Sequence, residues 1–272
     1  MYLSMYLSIY KSEILEVLKL KCPLKYKSKY SNEYFLDLIL LVLTDLQNWS
    51  SLQFICTDNK YKYHYKTIQG KHCLWSKLKI YEEVYFNIMK KYNFENNVDT
   101  LFIDTSDIYN KNGVECIGFG GQNKKKKKSL LSVICDKNKN VYSCILVEST
   151  ENMKKVKTFP HDINTVISTL DYPIDHGLKI KNINLVGDKG YISKDLKNKL
   201  KERNINFIYP SRKNAKIKTT NDDKIHLKNR HVIENVFADI KKYNRICMRK
   251  DRLKCTYIGF VYLSLMLTSK LL

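Results

Sequence analysis

The chain lacks any long uninterrupted apolar run. Its two most apolar segments, residues 34–46 and 257–272, are too short or too broken by Asp, Ser and Lys to span a bilayer. The first ten residues repeat Met-Tyr-Leu-Ser with no cationic stretch ahead of an apolar one, so no signal peptide is expected. None of the eight cysteines forms a Cys-x-x-Cys pair, and Cys56, His64, His72 and Cys73 fit no common zinc-finger spacing. Cys135 and Cys144 lie inside apolar runs and read as small buried hydrophobes, the usage of a reducing, intracellular compartment. A phosphate-binding loop is missing as well, because Gly118-Phe119-Gly120-Gly121 lacks the Gly-Lys-Ser/Thr ending. Nor is there an internal repeat of solenoid length.

Arginine is scarce. Only Arg203, Arg212, Arg230, Arg245, Arg249 and Arg252 are present, so lysine supplies nearly all the positive charge behind a formal net charge of +21. A basic excess of that size points to a polyanionic partner, nucleic acid first among them. Richness in Asn, Ile and Tyr beside Lys is also what an AT-rich genome produces, so part of the charge is compositional habit. With 272 residues, 44% of them hydrophobic, the chain can bury one substantial core, or one core and a small extra domain.

Residues 1–95 read as a helical module. Ser31 is placed to cap a helix whose apolar stripe runs through Phe35, Leu36, Ile39, Leu40, Val42, Leu43 and Leu46. Residues 9–20 and 74–92 give two more helical patterns. Short helices with basic connectors suit a helix-turn-helix-like DNA-binding module, and equally an ordinary helical subdomain. From residue 96 the pattern changes. Runs 98–106, 129–135 and 141–148 read as successive strands, followed by a helix over 159–170, a strand over 183–186, a helix over 193–203 and a strand over 206–209. A lysine-rich loop over 211–224 and two long helices, 227–243 and 251–270, complete residues 96–272. That order predicts a ribonuclease-H-like α/β domain, a mixed sheet flanked by helices. The five consecutive lysines 124–128 fall at a hairpin tip, a solvated turn or a DNA-backbone contact.

Two acidic residues end apolar strands. Asp104 follows Leu101-Phe102-Ile103, and Asp188 follows Leu185-Val186-Gly187. In open α/β sheets ligands bind beyond the carboxyl ends of strands, although a lone Asp there also serves as a turn or cap residue. Glu234 shares a helix face with Arg230 and Lys241, which by itself describes a salt-bridge ladder. Together the three carboxylates can hold two Mg²⁺ ions about 4 Å apart, with Mn²⁺ as the alternative. Asp107 falls on the opposite face of the strand from Asp104.

The residues then carry a family resemblance. Phe102-Ile103-Asp104-Thr105-Ser106, Gly187-Asp188-Lys189-Gly190-Tyr191, Arg230-x3-Glu234-x6-Lys241 and Lys241-Lys242-Tyr243-Asn244-Arg245-Ile246 are similar to motifs of the DDE transposases of bacterial insertion sequences, families four and five. The resemblance covers about residues 95–270. It implies Asp104, Asp188 and Glu234 as catalytic metal ligands, and Arg230, Lys241, Lys189 and Arg245 on double-stranded DNA. It implies a metal-dependent endonuclease that cuts its own element's ends and joins them to target DNA, working as a dimer. Leu227 stands where many relatives have Tyr. A DNA-binding descendant without catalysis, and a nuclease without strand transfer, are the rival readings.

Overall fold

The computed structural model describes residues 2–22, 30–46, 48–55, 64–96, 98–119, 126–151, 157–211, 219–269 and 271. Cys56, Arg212, lysines 124 and 125, and half of the loop expected over 211–224 (residues 212–218) lie outside them. Helices come first: α1 (Tyr2–Lys21), α2 (Asn32–Thr44), α3 (Leu52–Ile55), α4 (Tyr65–Lys77) and α5 (Ile80–Glu95). As the sequence predicts, α2 begins where the Ser31 hydroxyl accepts from the Tyr34 backbone N–H at 3.1 Å. The single helix expected over 74–92 is instead two. Lys79 takes a left-handed backbone, φ 56°, between α4 and α5, and the turn lets Trp75, Ile80 and Tyr81 all reach the core.

The sheet starts with an antiparallel meander of β1 (Thr100–Asn110), β2 (Lys128–Asp136) and β3 (Val141–Leu146). Two-residue strands β4 (Thr150–Glu151) and β5 (Lys157–Thr158) pair with each other outside it. Then come α6 (Val166–Asp175), β6 (Ile183–Val186), α7 (Lys194–Glu202), β7 (Ile205–Ile208), α8 (Asn221–Lys228), α9 (His231–Lys241), α10 (Asn244–Cys247), β8 (Met248–Arg249) and α11 (Lys254–Thr268). The strand order is β3-β2-β1-β6-β7, with β6 parallel to both β1 and β7. This is a mixed sheet flanked by helices, as the element order leads one to expect. β1 runs past the predicted 98–106 because β2 pairs with it as far as Tyr109, and β8 adds a parallel pair at Tyr109 and Asn110.

Two further expectations are corrected. Thr220 and Asp223 form a reciprocal capping box that starts α8 within the expected loop and carries it to Lys228. The helix predicted over 227–243 is therefore divided by a turn at Asn229 and Arg230, and α9 begins at His231. The helix expected over 159–170 is likewise replaced at its start by a 3₁₀ turn, Asp162–Thr165, since Pro160 and His161 hold the chain extended before it.

α11 is buried almost throughout and packs against α4, α5, α9 and β3. Gly259 permits a close approach to α4, because a β-carbon there would overlap the Ser76 hydroxyl. One hydrophobic core consequently runs from Tyr10 to Leu271, across the junction at residues 95 and 96 between α5 and β1. Cys116, Cys135 and Cys144 are buried in it, and every described cysteine is a free thiol. No described helix is long and apolar enough to cross a membrane.

Candidate metal centre

Register brings two of the predicted carboxylates together. Phe102 of β1 pairs in parallel with Val186 of β6, and Asp104 and Asp188 each lie two residues further on. The edge between two parallel strands thus carries an Asp from both. The Asp104 Oδ1 accepts from the backbone N–H of Thr105 at 2.8 Å. Asp188 turns the chain after β6, its Oδ1 accepting from the Gly190 N–H at 2.6 Å at the start of the short 3₁₀ turn Lys189–Tyr191. Burial pushes the Asp104 carboxyl up to about 6; the Thr105 N–H opposes that, the Asp188 charge adds to it, Arg230 opposes it, and Asp162 adds again.

Glu234 arrives on the first turn of α9, where the helix dipole favours an acidic residue. Its Oε1 accepts from the Arg230 Nη2 at 2.8 Å, while the Arg230 Nη1 lies 3.6 Å from the Asp104 Oδ2. One guanidinium therefore links the helix carboxylate to the strand carboxylate. Lys241, two turns along α9, does not extend the ladder. Its Nζ donates to the Ser106 Oγ at 2.6 Å and to the Asp107 carbonyl at 3.0 Å, two and three residues past Asp104, and burial lowers its pKa. Lys189 is exposed on the turn after Asp188. Asp107, on the other face of β1, pairs with Lys128.

Arg245 is a correction. Expected on DNA, it is only 3% exposed, and its Nη2 bonds the equally buried Asp251 at 2.7 Å. Its guanidinium lies 5.0 Å from the Trp49 ring centre and 4.7 Å from that of Phe260. The residue is part of the core because α10 turns it inward, away from the exposed side of α9. Leu227 is partly buried against the core. His231 is exposed and its Nδ1 sits 2.9 Å from the Lys228 carbonyl.

Sequence reasoning missed Asp162. It opens the 3₁₀ turn before α6, and its Oδ1 accepts from the Thr105 hydroxyl at 2.8 Å, beside Asp104. The sole signal in the sequence is an Asp two residues after Pro160, ahead of an apolar helical run, which reads as an ordinary helix start. Asp162 also lines a polar cavity of about 590 Å³ with Lys128, Lys241 and His161.

Among the described residues, no three His, Cys, Asp or Glu side chains are drawn together tightly enough to hold a metal ion as they stand. The donor chemistry fits a hard divalent cation all the same. Every candidate ligand is a carboxylate, and the aspartates are close enough for their charges to act on one another.

Fold and geometry together define a mixed α/β domain with two aspartates at the β1/β6 edge. Residues 172–253 of the chain match the family model described as transposase DDE domain. That segment includes Asp188, Arg230, Glu234 and Lys241, and Asp104 precedes it. No curated protein matches the chain significantly. Among solved structures, the chain is similar to a piggyBac transposase synaptic complex with hairpin DNA, at 11% identity and a TM-score of 0.40, over 75% of this chain and 48% of that one. It therefore spans about half the length of that relative. Similarity also extends to a pre-cleavage Mos1 transpososome (10% identity, TM-score 0.32, 91% and 79% covered) and to a Mos1 mariner paired end complex with Mn (9%, 0.30, 84% and 80%).

Proposed function

We propose that the chain is a transposase that cuts and joins DNA, with Asp104, Asp188 and Glu234 as ligands for two Mg²⁺ or Mn²⁺ ions. The observation that carries this reading is the parallel register of β1 and β6, which sets Asp104 beside Asp188 where the α9 carboxylate can meet them. The match of residues 172–253 to a transposase DDE domain supports it. When bound, such cations supply Lewis acidity toward a phosphodiester and make an attacking hydroxyl more acidic.

The chain's own residues would do the rest. The Thr105 N–H orients the Asp104 carboxylate, and Arg230 neutralises Asp104 and Glu234 together. Arg230, Lys189 and Lys241 offer donors to phosphate oxygens on the exposed side of the centre. The helices before β1 would recognise the element's ends. Holding two ends in one reaction calls for a second copy of the chain.

The test is incubation of the protein and its Asp188→Asn variant with labelled element ends, with and without Mg²⁺ or Mn²⁺. Metal-dependent nicking that disappears in the variant is the expected result. Binding with no nicking by either protein would overturn the reading in favour of a DNA-binding descendant, and nicking without strand transfer would make the protein a nuclease.

A further inference from the structure

We propose that a basic cavity between α4 and the β8–α11 loop is a phosphate site, which holds the backbone of double-stranded DNA at a distance from the metal centre. The choice of DNA as the polyanion rests on the function proposed above. The cavity has a volume of about 720 Å³, and Lys111, Arg245, Lys250 and Arg252 line it with a single carboxylate, Asp251. Arg245 bonds that carboxylate at 2.7 Å. Four cations thus share one acid, and neither Lys111 nor Arg252 has an ion-pair partner among the described residues. Lys111 and Arg252 are exposed and Lys250 is partly so, which suits a backbone that stays largely outside the cavity. β1 leads here from the centre. Asp104 to Asn110 spans about 20 Å at about 3.3 Å per residue, and Lys111 follows. A duplex engaged at Asp104 and lying along β1 therefore reaches the cavity about six base pairs away.

The frame of the cavity is built around a buried arginine. Arg249 is 0% exposed, and its Nη1 donates to the Glu115 carbonyl at 2.7 Å and to the Ser129 Oγ at 2.9 Å. Its Nε reaches the Asp251 carbonyl at 3.2 Å and its Nη2 the Arg252 carbonyl at 3.3 Å. The Arg249 carbonyl accepts from the Lys111 N–H at 3.0 Å, and the Arg252 carbonyl from the Val114 N–H at 3.1 Å. Segments 111–115 and 249–252 are laced together by these bonds, so the backbones that carry the cations are fixed before any anion arrives. The same frame crowds like charges. Burial lowers the Lys250 pKa, the charges of Arg245 and Lys111 lower it further, and Asp251 opposes them. An anion in the cavity relieves that repulsion. Trp49 adds an independent observation. It lines the same cavity and is 7% exposed, and its indole Nε1 donor is buried with no hydrogen-bond partner among the described residues. A phosphate oxygen is the kind of acceptor it lacks.

The experiment follows binding of a short labelled DNA duplex to the full chain by fluorescence anisotropy, over a salt series and without divalent metal. The proteins are wild type, Lys250→Gln, Lys250→Arg, Arg252→Gln and, on α7 against β7, Lys201→Gln. Lys250→Gln and Arg252→Gln should each lower the slope of log K against log salt by about one. Lys250→Arg and Lys201→Gln should keep the wild-type slope. Arg252 joins the frame through its backbone carbonyl alone, so cutting its side chain leaves the fold intact. Wild-type slopes in both Gln variants, with the duplex still bound, would overturn the proposal and leave the transposase reading standing. So would an equal fall in Lys201→Gln, the mark of diffuse attraction rather than a site. Inorganic phosphate, followed by tryptophan fluorescence, tests the other source of the anion. Saturable quenching that Lys250→Gln abolishes, with duplex slopes unchanged, would make the cavity a small-anion site and overturn the DNA assignment. If wild type binds no duplex at all, the transposase reading itself fails and the proposal falls with it.

Discussion

Arg230 and Arg245 stand fifteen positions apart in one basic stretch and have opposite surroundings. Arg230 is partly exposed between two carboxylates of the centre, and Arg245 is enclosed by Asp251, Trp49 and Phe260. Removing one partner of a buried ion pair strands the other, a loss of about 3–5 kcal/mol. Arg245→Met is therefore expected to lower unfolding stability by that amount and to leave the salt dependence of DNA binding, measured on the folded fraction, unchanged. A phosphate contact would behave differently, lowering the slope of log K against log salt by about one while sparing stability. Denaturant melts and a salt titration of DNA affinity decide between them. No periodicity rule exposes this difference, because Asp251 and Trp49 become neighbours of Arg245 only in the folded chain.

Among the elements, α9 does most to assemble the centre. Ile233, Val236, Phe237 and Ile240 bury its apolar face, so the helix is fixed while Glu234 stays more than half exposed. An exposed i,i+4 pair such as Arg230–Glu234 is worth about 0.3–0.5 kcal/mol. Packing therefore gives no reason for a carboxylate there. Glu234→Gln should change stability by less than about 0.5 kcal/mol and abolish metal-dependent nicking of labelled ends. Retained nicking would remove Glu234 from the centre, and a large loss of stability would give it a structural role instead. Elements whose signal is local were legible in the sequence: the Ser31 cap, the bounds of β6, and Asp104 and Asp188 at the ends of apolar runs. Less legible was anything set by pairing or turn geometry. The extension of β1 depends on β2 and β8, and the left-handed Lys79 breaks a stripe that is continuous in sequence. Asp162 was hidden for the same reason, since its partner Thr105 is 57 residues away.

For the whole molecule, α11 ties the helices that precede the sheet to the rest of the core. His72 of α4 is buried there, its Nε2 2.9 Å from the Thr256 carbonyl and its Nδ1 3.3 Å from the Tyr81 hydroxyl. A carbonyl can only accept, so Nε2 carries the proton and Nδ1 accepts from Tyr81, which describes a neutral ring. Burial first, with a smaller push from Arg245, lowers its pKa to about 4, against the opposing influence of Asp251 and the Thr256 carbonyl. The unfolded chain takes up a proton as the pH falls below about 6.5, and the folded chain does not until about 4. Folding stability should accordingly be fully present above pH 6.5 and decline through that window, by an amount on the order of 3 kcal/mol from this one group. Glutamine can offer the same donor and acceptor without titrating. His72→Gln should flatten the dependence of the urea midpoint on pH between 6.5 and 4, and an unchanged slope would show that other groups govern acid unfolding. Because His72 joins α4 to α11, its protonation should loosen the helices before β1 and the sheet in one transition, read as coincident far-ultraviolet circular dichroism and tryptophan fluorescence changes from Trp49 and Trp75.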